Sequence, residues 1–450
     1  MDLAGTVELA LAQNPALRAQ IERHREVLGG VAEVRADAFP QLDLVASWGR
    51  SRNPTFLNSP DFDDLIGQFP DFQPGEQELW DLGLEVNQTL YSGGKVQAAI
   101  DLAELVVEVD DAQTRTVILD TALAAAELHY ELLAARRSAA AVESQRRARE
   151  ESLGVLQARY DLGDATELER LRAVASLQAV APALARAEGR IEVVSSRLRA
   201  LLGLGRSVPL DVVDVPVIDA DTLASEAFDH PEPAALVALA AARRPELEDL
   251  DLQDKVLGRR VEVTAAEASP QLELNGRYAH QVRLLDDLDD DLFADWRVSI
   301  NMTWNLFDGG RRKGLLAQLD SQRQQLHWTR QDLENTVVAE ISEALATART
   351  LAEEYRAAAV SARTAREASR VAEESYREGV ALQVDVLAAR DQVIQAELEE
   401  IDALYRALTN AAQLRRAVGL LPTEDWPTED RPSENRPTED PAMESRNDDD

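Results

Sequence analysis

Four stretches of the chain alternate apolar and polar residues. In 41–50, Leu42, Leu44, Ala46 and Trp48 oppose Gln41, Asp43 and Ser47, with Val45 the exception. In 80–91, Trp80, Leu82, Leu84, Val86 and Leu90 oppose Asp81, Gly83, Glu85, Asn87 and Thr89, and Gln88 interrupts the apolar row. In 271–278, Leu272, Leu274 and Tyr278 oppose Gln271, Glu273, Asn275 and Arg277. In 296–307, Trp296, Val298, Ile300, Met302, Trp304 and Leu306 oppose Arg297, Ser299, Asn301, Thr303 and Asn305. A period of two with these residue types predicts strands. A tilted membrane-spanning strand needs about 9–11 residues, close to the lengths seen. Trp48, Trp80, Tyr91, Tyr278, Trp296, Trp304 and Phe307 lie near the ends of the apolar rows, where an interfacial aromatic belt belongs. Four strands do not close a barrel, and open edges are not viable in lipid. Several copies must then share one barrel, and three copies give an even twelve strands. The other reading of the same pattern is a soluble sheet of two hairpins, packed on one face.

Between the strands the pattern is helical and long. A helix is predicted over 6–38, ended by Pro40, and another over 236–268, ended by Pro270. After each second strand come two further helices, 95–158 with 167–203 and 311–375 with 384–419, joined by short turns at 159–166 and 376–383. At 1.5 Å per residue, 95–158 is roughly 95 Å long, a length suited to a coiled-coil rod or tube.

The two halves repeat each other. "NPALRAQIERHREVLGGVAEVRADAFPQLDL" (14–44) matches "RPELEDLDLQDKVLGRRVEVTAAEASPQLEL" (244–274) at an offset of 230. From "YSGGK" (91–95) and "FDGGR" (307–311) onward the offset is 216, pairing Tyr160 with Tyr376, Gly163 with Gly379 and Leu202-Gly203 with Val418-Gly419. One insertion in the hairpin loops, 49–79 against 279–295, accounts for the difference. The organisation is thus a first repeat over 1–203, a linker over 204–235 with Pro209, Pro216, Pro231 and Pro233, a second repeat over 236–421, and a tail over 422–450.

Composition narrows the function. The chain of 450 residues has a formal net charge of -35, which argues against nucleic acid as a partner, since its phosphates need a basic face. It has no cysteine, so disulfides, thiolate metal sites and Cys nucleophiles are excluded. No apolar run is long enough for a transmembrane helix. "MDLAGTVELALAQNP" lacks a basic n-region and an apolar h-region, so no signal peptide is expected in this chain. The histidines at 24, 129, 230, 280 and 327 are scattered. "SGGKV" lacks the earlier Gly and the Ser or Thr of a phosphate loop. The Asp-rich loop near 286–291 lacks the Gly turn and closing Glu of a calcium loop. Neither a catalytic site, a cofactor nor a metal is expected. After Pro422, "PTEDWPTEDRPSENRPTEDP" repeats every five residues and reads as a disordered acidic tail, solubilising in preference to binding a partner or cations.

Long helices in duplicate, "NP-x-L" and "RPEL" openings, "A-x-P-Q-L" before each hairpin and "L-[YF]-[SD]-G-G" after it together resemble the TolC-type outer membrane efflux proteins, over about 3–421. The fold expected is mainly α with membrane β-hairpins. The resemblance implies a homotrimer, a 12-stranded β-barrel in outer-membrane lipid and an α-helical tunnel across the periplasm. It also implies a periplasmic adaptor and an inner-membrane transporter as partners, in efflux or type I secretion, with no chemistry in the duct itself. Gly93, Gly94, Gly309 and Gly310 then mark the joint between barrel and tunnel. The turns "RYDLGDATELERL" (159–171) and "SYREGVALQVDVL" (375–387) correspond to the periplasmic tip and gate, with Tyr160, Gly163, Glu169, Tyr376, Gly379 and Asp385 as its residues. Rings of acids from Glu169 and Asp385 in a trimer favour cations. Both acids equally fit the first turn of a helix, where the dipole favours them. Ala381 and Ala388 stand where the family's best-known gate has an Arg and an Asp, so its salt-bridge pattern is not reproduced. The competing reading is a soluble scaffolding coiled coil with two small hairpins.

Overall fold

Each Gly-Gly leads directly into a long helix, which begins at Lys95 after Gly93-Gly94 and at Arg311 after Gly309-Gly310. The computed structural model describes residues 1–51, 77–213, 232–282 and 294–426. In chain order the elements are helices α1 (Leu3–Gln13) and α2 (Pro15–Ala36), strands β1 (Gln41–Ser51) and β2 (Gln77–Tyr91), helices α3 (Lys95–Asp161) and α4 (Glu167–Leu201), then helices α5 (Pro233–Arg243) and α6 (Pro245–Ala266), strands β3 (Gln271–Val282) and β4 (Ala294–Thr303), and helices α7 (Arg311–Arg377) and α8 (Gln383–Ala417). The hairpin-loop residues 52–76 and 283–293, the linker residues 214–231 and the tail from 427 lie outside the described residues.

The chain divides into two units, one of 1–20, 114–247 and 332–450, the other of 21–113 and 248–331. In the second, all four strands form one antiparallel sheet in the order β1-β2-β3-β4. The hairpin registers obey the duplication. Gln41 faces Asn87 and Trp48 faces Trp80; their counterparts Gln271 and Tyr278 face Thr303 and Trp296. Val45 faces Gly83, a small neighbour that accommodates it on the polar side. The Gln88 amide, on the apolar side, donates to Ala38 O at 3.2 Å and Thr89 O at 2.9 Å.

The joints explain the Gly-Gly pairs. Gly93 and Gly94 have φ of 64° and 86°, and Gly309 and Gly310 have 66° and 88°, all in the left-handed region. The preceding residue caps the helix: Ser92 Oγ accepts from Val96 N at 3.3 Å, and the Asp308 carboxylate accepts from Gly310 N at 2.9 Å and Arg312 N at 3.0 Å. Those backbone donors, from Arg312 first and Gly310 second, hold the Asp308 carboxyl below the usual Asp range.

In the helical unit one corner is built twice. Val7 and Ala10 of α1 bury against Ala122, Ala125, Leu198 and Leu202. Leu236 and Ala240 of α5 bury against Val337, Ile341, Leu414 and Val418. Gly203 and Gly419 turn at φ of 65° and 83°. There a Cβ would lie 2.5 Å from Gln13 O and 2.9 Å from Arg243 O respectively.

Several expected boundaries are corrected. The single helices over 6–38 and 236–268 are each two, broken at Asn14–Pro15 and Arg244–Pro245. A residue before proline is pushed out of the helical region, and Asn14 has ψ 125° and Arg244 ψ 117°. Asn14 Oδ1 then caps α2 by accepting from Ala16 N at 2.8 Å and Leu17 N at 3.0 Å. The strand expected over 296–307 stops at Thr303, where its partner Gln271 follows Pro270, which has no N–H to extend the ladder. Trp304 therefore lies past the strand, its indole N–H donating to Ala268 O at 2.9 Å. Strand β3 runs on from 278 to Val282, because Gln281 and Val282 still pair with Asp81 and Trp80.

The tail does not begin at 422. Glu424 accepts from Arg243 at 2.9 Å, Arg415 Nε donates to Glu424 O at 3.1 Å, and the Arg415 guanidinium lies 5.4 Å from the Trp426 ring centroid. Trp426 packs on the Leu236–Leu420 core. The first repeat does the same: Arg199 Nε donates to Val208 O at 2.8 Å, and Leu210 is buried. Residues 422–426 thus finish the second repeat.

Two stability measurements follow. A Cβ on Gly93 would meet Ser269 Cβ at 2.2 Å, whereas one on Gly94 meets nothing within 4 Å. Gly93→Ala is expected to cost about 3 kcal/mol or more and Gly94→Ala about 1 kcal/mol in denaturant unfolding. Ending the chain after Trp426 should leave stability unchanged, and ending it after Leu421 should lower it by about 1–3 kcal/mol.

Candidate functional site

The sheet separates its side chains by chemistry. Leu42, Leu44, Trp48, Leu82, Leu84, Tyr278, Trp296, Val298, Ile300 and Met302 are all exposed on one face. Such an apolar surface on a soluble monomer would be unusual. Of the aromatic residues expected in a belt, Trp48 and Trp80 are cross-strand neighbours with ring centroids 6.1 Å apart. Tyr278 and Trp296 form the corresponding pair in the second hairpin. These four lie toward the hairpin-loop end, and Tyr91, Trp304 and Phe307 lie toward the joints. From Trp80 to Tyr91 is about 36 Å at about 3.3 Å per residue. Tilted by about 40°, that is about 28 Å, close to the apolar band of an outer-membrane barrel.

The opposite face is polar and tied together. Arg277 Nη2 donates to both Asp81 oxygens, at 2.5 and 2.6 Å, and its Nε lies 3.4 Å from Glu85. Gln281 donates to Asp81 at 2.7 Å. Asn275 Nδ2 donates to Asn87 Oδ1 at 2.7 Å, and Asn301 Nδ2 to Asn275 Oδ1 at 2.6 Å. Cross-strand pairs of this kind fix the register and leave a wettable wall.

The two turns in the helical unit end α3 and α7 in the same way. Gly163 and Gly379 have φ of 83° and 77°. Gly163 N donates to Tyr160 O at 2.9 Å and Asp164 N to Arg159 O at 2.8 Å. Gly379 N donates to Tyr376 O at 3.1 Å and Val380 N to Ser375 O at 2.8 Å. Both are Schellman closures.

Glu169 and Asp385 start the next helices. Glu169 forms a reciprocal capping box with Thr166, accepting from Thr166 N at 2.7 Å while Thr166 Oγ1 accepts from Glu169 N at 3.3 Å. The backbone N–H of Thr166 is the main reason its carboxyl sits below the usual Glu range. Asp385 accepts from Leu382 N at 3.0 Å, but Leu382 has no side-chain acceptor to complete the box. Both acids therefore occupy helix-start positions, as the second of the two sequence readings has it.

Links between the turns come from residues that the sequence reading passed over. Arg159 donates to Tyr376 Oη at 3.4 Å and lies 5.7 Å from that ring's centroid. Within the first turn, Arg170 lies 5.5 Å from the Tyr160 ring centroid. Gln383 Nε2 donates to Glu169 O at 3.0 Å. Deeper in the helices, buried Arg149 donates to Ser176 O at 2.6 Å and pairs with Asp391. The available signal was the difference between repeats: Arg159, Arg149 and Gln383 stand where the other copy has Ser375, Ala365 and Glu167. Both turns also expose apolar side chains, with Leu162 at 78%, Leu168 at 56%, Val380 at 81% and Leu382 at 69%.

Among the described residues no helix is long and apolar enough to cross a membrane, and no group of three or more His, Cys, Asp or Glu is arranged to hold a metal ion.

The family model of outer membrane efflux proteins matches residues 6–204 and 236–420, one match for each repeat. Outer membrane protein OprJ of Pseudomonas aeruginosa is 23% identical over 93% of this chain and 84% of its own length. Outer membrane protein TolC of Vibrio cholerae is 23% identical over 94% of this chain and 92% of its own. The solved structure of the outer membrane protein VceC from Vibrio cholerae has a TM-score of 0.73 at 20% identity, covering 93% of this chain and 96% of that one. The sheet with one apolar face, the doubled tip and joint, and a family match over both repeats lead to one assignment: the chain belongs to the outer membrane efflux protein family.

Proposed function

We propose that three copies of this chain form an exit duct in the outer membrane, the last component of a tripartite efflux or type I secretion system. The observation that carries this reading is the sheet. Its exposed apolar face suits lipid, its polar face suits a water-filled lumen, and it opens through capped Gly-Gly joints into helices of 67 residues. A soluble scaffold would leave that apolar face in water without a use. The seven aromatic residues of the two levels serve as the interfacial belt, and the four joint glycines redirect the chain from barrel to tunnel. The duct conducts passively, and the relatives OprJ and TolC are named as outer membrane proteins.

The tip, in this reading, is the periplasmic end. The exposed apolar side chains of both turns suit docking by an adaptor protein, through which an inner-membrane transporter delivers substrate. Closure rests on Arg159–Tyr376 and Gln383–Glu169, in place of the Arg and Asp that Ala381 and Ala388 replace. Glu169 and Asp385 combine two roles: each caps its own helix, and in a trimer their carboxylates form rings at the constriction that favour cations.

The duct reading is tested on protein extracted in detergent. A mass of three copies and ion conductance in a planar bilayer are expected; a water-soluble monomer without conductance contradicts it. The gate is tested by Glu169→Gln and Asp385→Asn, which keep a capping oxygen and remove the charge. The preference for cations should fall severalfold, with a modest loss of helix stability from the weakened caps; unchanged selectivity leaves both residues as caps alone. Acidification tests the capping box. The Glu169 carboxyl is depressed in the folded protein, so its stabilisation is full above the unfolded Glu value and is lost as pH falls through the lower folded one. Amide exchange at 166–169 should therefore quicken only below the usual Glu titration range.

A further inference from the structure

The polar face of the sheet is ordered across the strands as well as along them. One row, read at right angles to the strands, is charged throughout. Asp43 of β1 faces Glu85 of β2, Glu85 faces Arg277 of β3, and Arg277 faces Arg297 of β4. The order across the sheet is acid, acid, base, base. The next row toward the joints, Gln41, Asn87, Asn275 and Ser299, is neutral.

Like charges directly across a strand pair are destabilising, and opposite charges are favourable. The same side chains in alternating order would make every neighbour favourable. In the observed order only Glu85 and Arg277 are neighbours of opposite sign, with Arg277 Nε 3.4 Å from Glu85. Arg277 also donates to Asp81, so the middle of the row is neutralised within the chain. Both ends are left over. Asp43 and Arg297 are exposed and have no hydrogen-bonding or ion-pair partner among the described residues. They are three strand spacings apart, roughly 14 Å between backbones. Duplication does not account for the order. By the offsets of 230 and 216, Arg277 corresponds to Ser47 and Arg297 to Asp81, so the base end has no counterpart in the first repeat.

We propose that this row is a binding subsite on the lumen wall for zwitterionic solutes with separated charges, the cationic group at the Asp43–Glu85 end and the anionic group at the Arg277–Arg297 end; this rests on the duct reading above. A solute with one charge gains at one end only. A zwitterion long enough to reach along the row gains at both. The Arg297 guanidinium presents a planar fork that suits a carboxylate, and the Asp43 carboxylate accepts from an ammonium. Each contact is made with an exposed side chain and is weak on its own. Weak contacts suit a duct, where a solute must leave as readily as it enters.

Calorimetric titration of the detergent-purified protein with ε-aminocaproic acid tests the subsite, at an ionic strength low enough that the Debye length exceeds the row. Binding severalfold tighter than that of caproate or of n-hexylamine is expected. Asp43→Asn and Arg297→Gln should each bring the zwitterion down to the level of the singly charged compounds. The double variant Asp43→Arg with Arg297→Asp keeps every charge and makes the row alternate. It should unfold no more readily than the wild type in denaturant, and it should lose the preference for the zwitterion. A double variant that keeps the preference, or a wild type that has none, overturns the subsite. Conductance of the same preparation separates this inference from the duct reading. A conducting trimer without the preference removes the subsite and leaves the duct; a monomer without conductance removes both.

Discussion

In hydrocarbon, an unpaired backbone N–H or C=O has no water to bond, and each costs several kcal/mol. That constraint governs this protein. Its sheet has an exposed apolar face and two edges, β1 and β4, that no strand among the described residues covers. The apolar face directs the sheet into lipid, and the edges then forbid it from remaining there alone. On the proposed duct reading, association of copies follows from the sheet itself, and the polar face, with its Asn87–Asn275–Asn301 ladder, would become the wall of the lumen that association encloses.

Duplication supplies the parts economically. The same joint, corner and tip turn are each built twice, with Gly in the left-handed region at every one. Where the repeats agree they serve architecture: Ser92 and Asp308 cap, and Gly203 and Gly419 let α1 and α5 approach the helix ends. Some of their differences link the two helical hairpins. Arg149, Arg159 and Gln383 reach across between the two helical hairpins, and none has a like residue in the other repeat. A duct must be rigid along its length and adjustable at one end, and this division of residues suits both needs.

Much of the fold was legible because its signals are local. Period-two alternation located the strands, and the doubled Gly-Gly and Tyr-x-x-Gly landmarks revealed the repeat. The breaks at Pro15 and Pro245 were missed because the apolar pattern runs through them, and at each only the one residue before the proline leaves the helical region. Strand β4 was drawn too long because its alternation is written to Leu306, while a single chain lacks the neighbour that would pair the last residues. The tail was drawn too early because the acidic pentad repeat masks Glu424 and Trp426, whose partners Arg243 and Arg415 are recognisable only in three dimensions. At the two helical turns, the capping geometry of Glu169 and Asp385 was one of the two readings, since acids at a helix start are a local signal. Arg159 and Gln383 were not found, because their partners lie 217 and 214 residues away.

On the duct reading, the open sheet of one chain is closed by other copies in lipid. An electron-microscopy map of the protein in lipid nanodiscs tests it most directly. The account predicts three copies around one axis, with their four-stranded sheets joined β4 to β1 into a closed barrel whose apolar face meets the lipid. A map showing a single copy, or a sheet with β1 or β4 still unpaired in the bilayer, would contradict it.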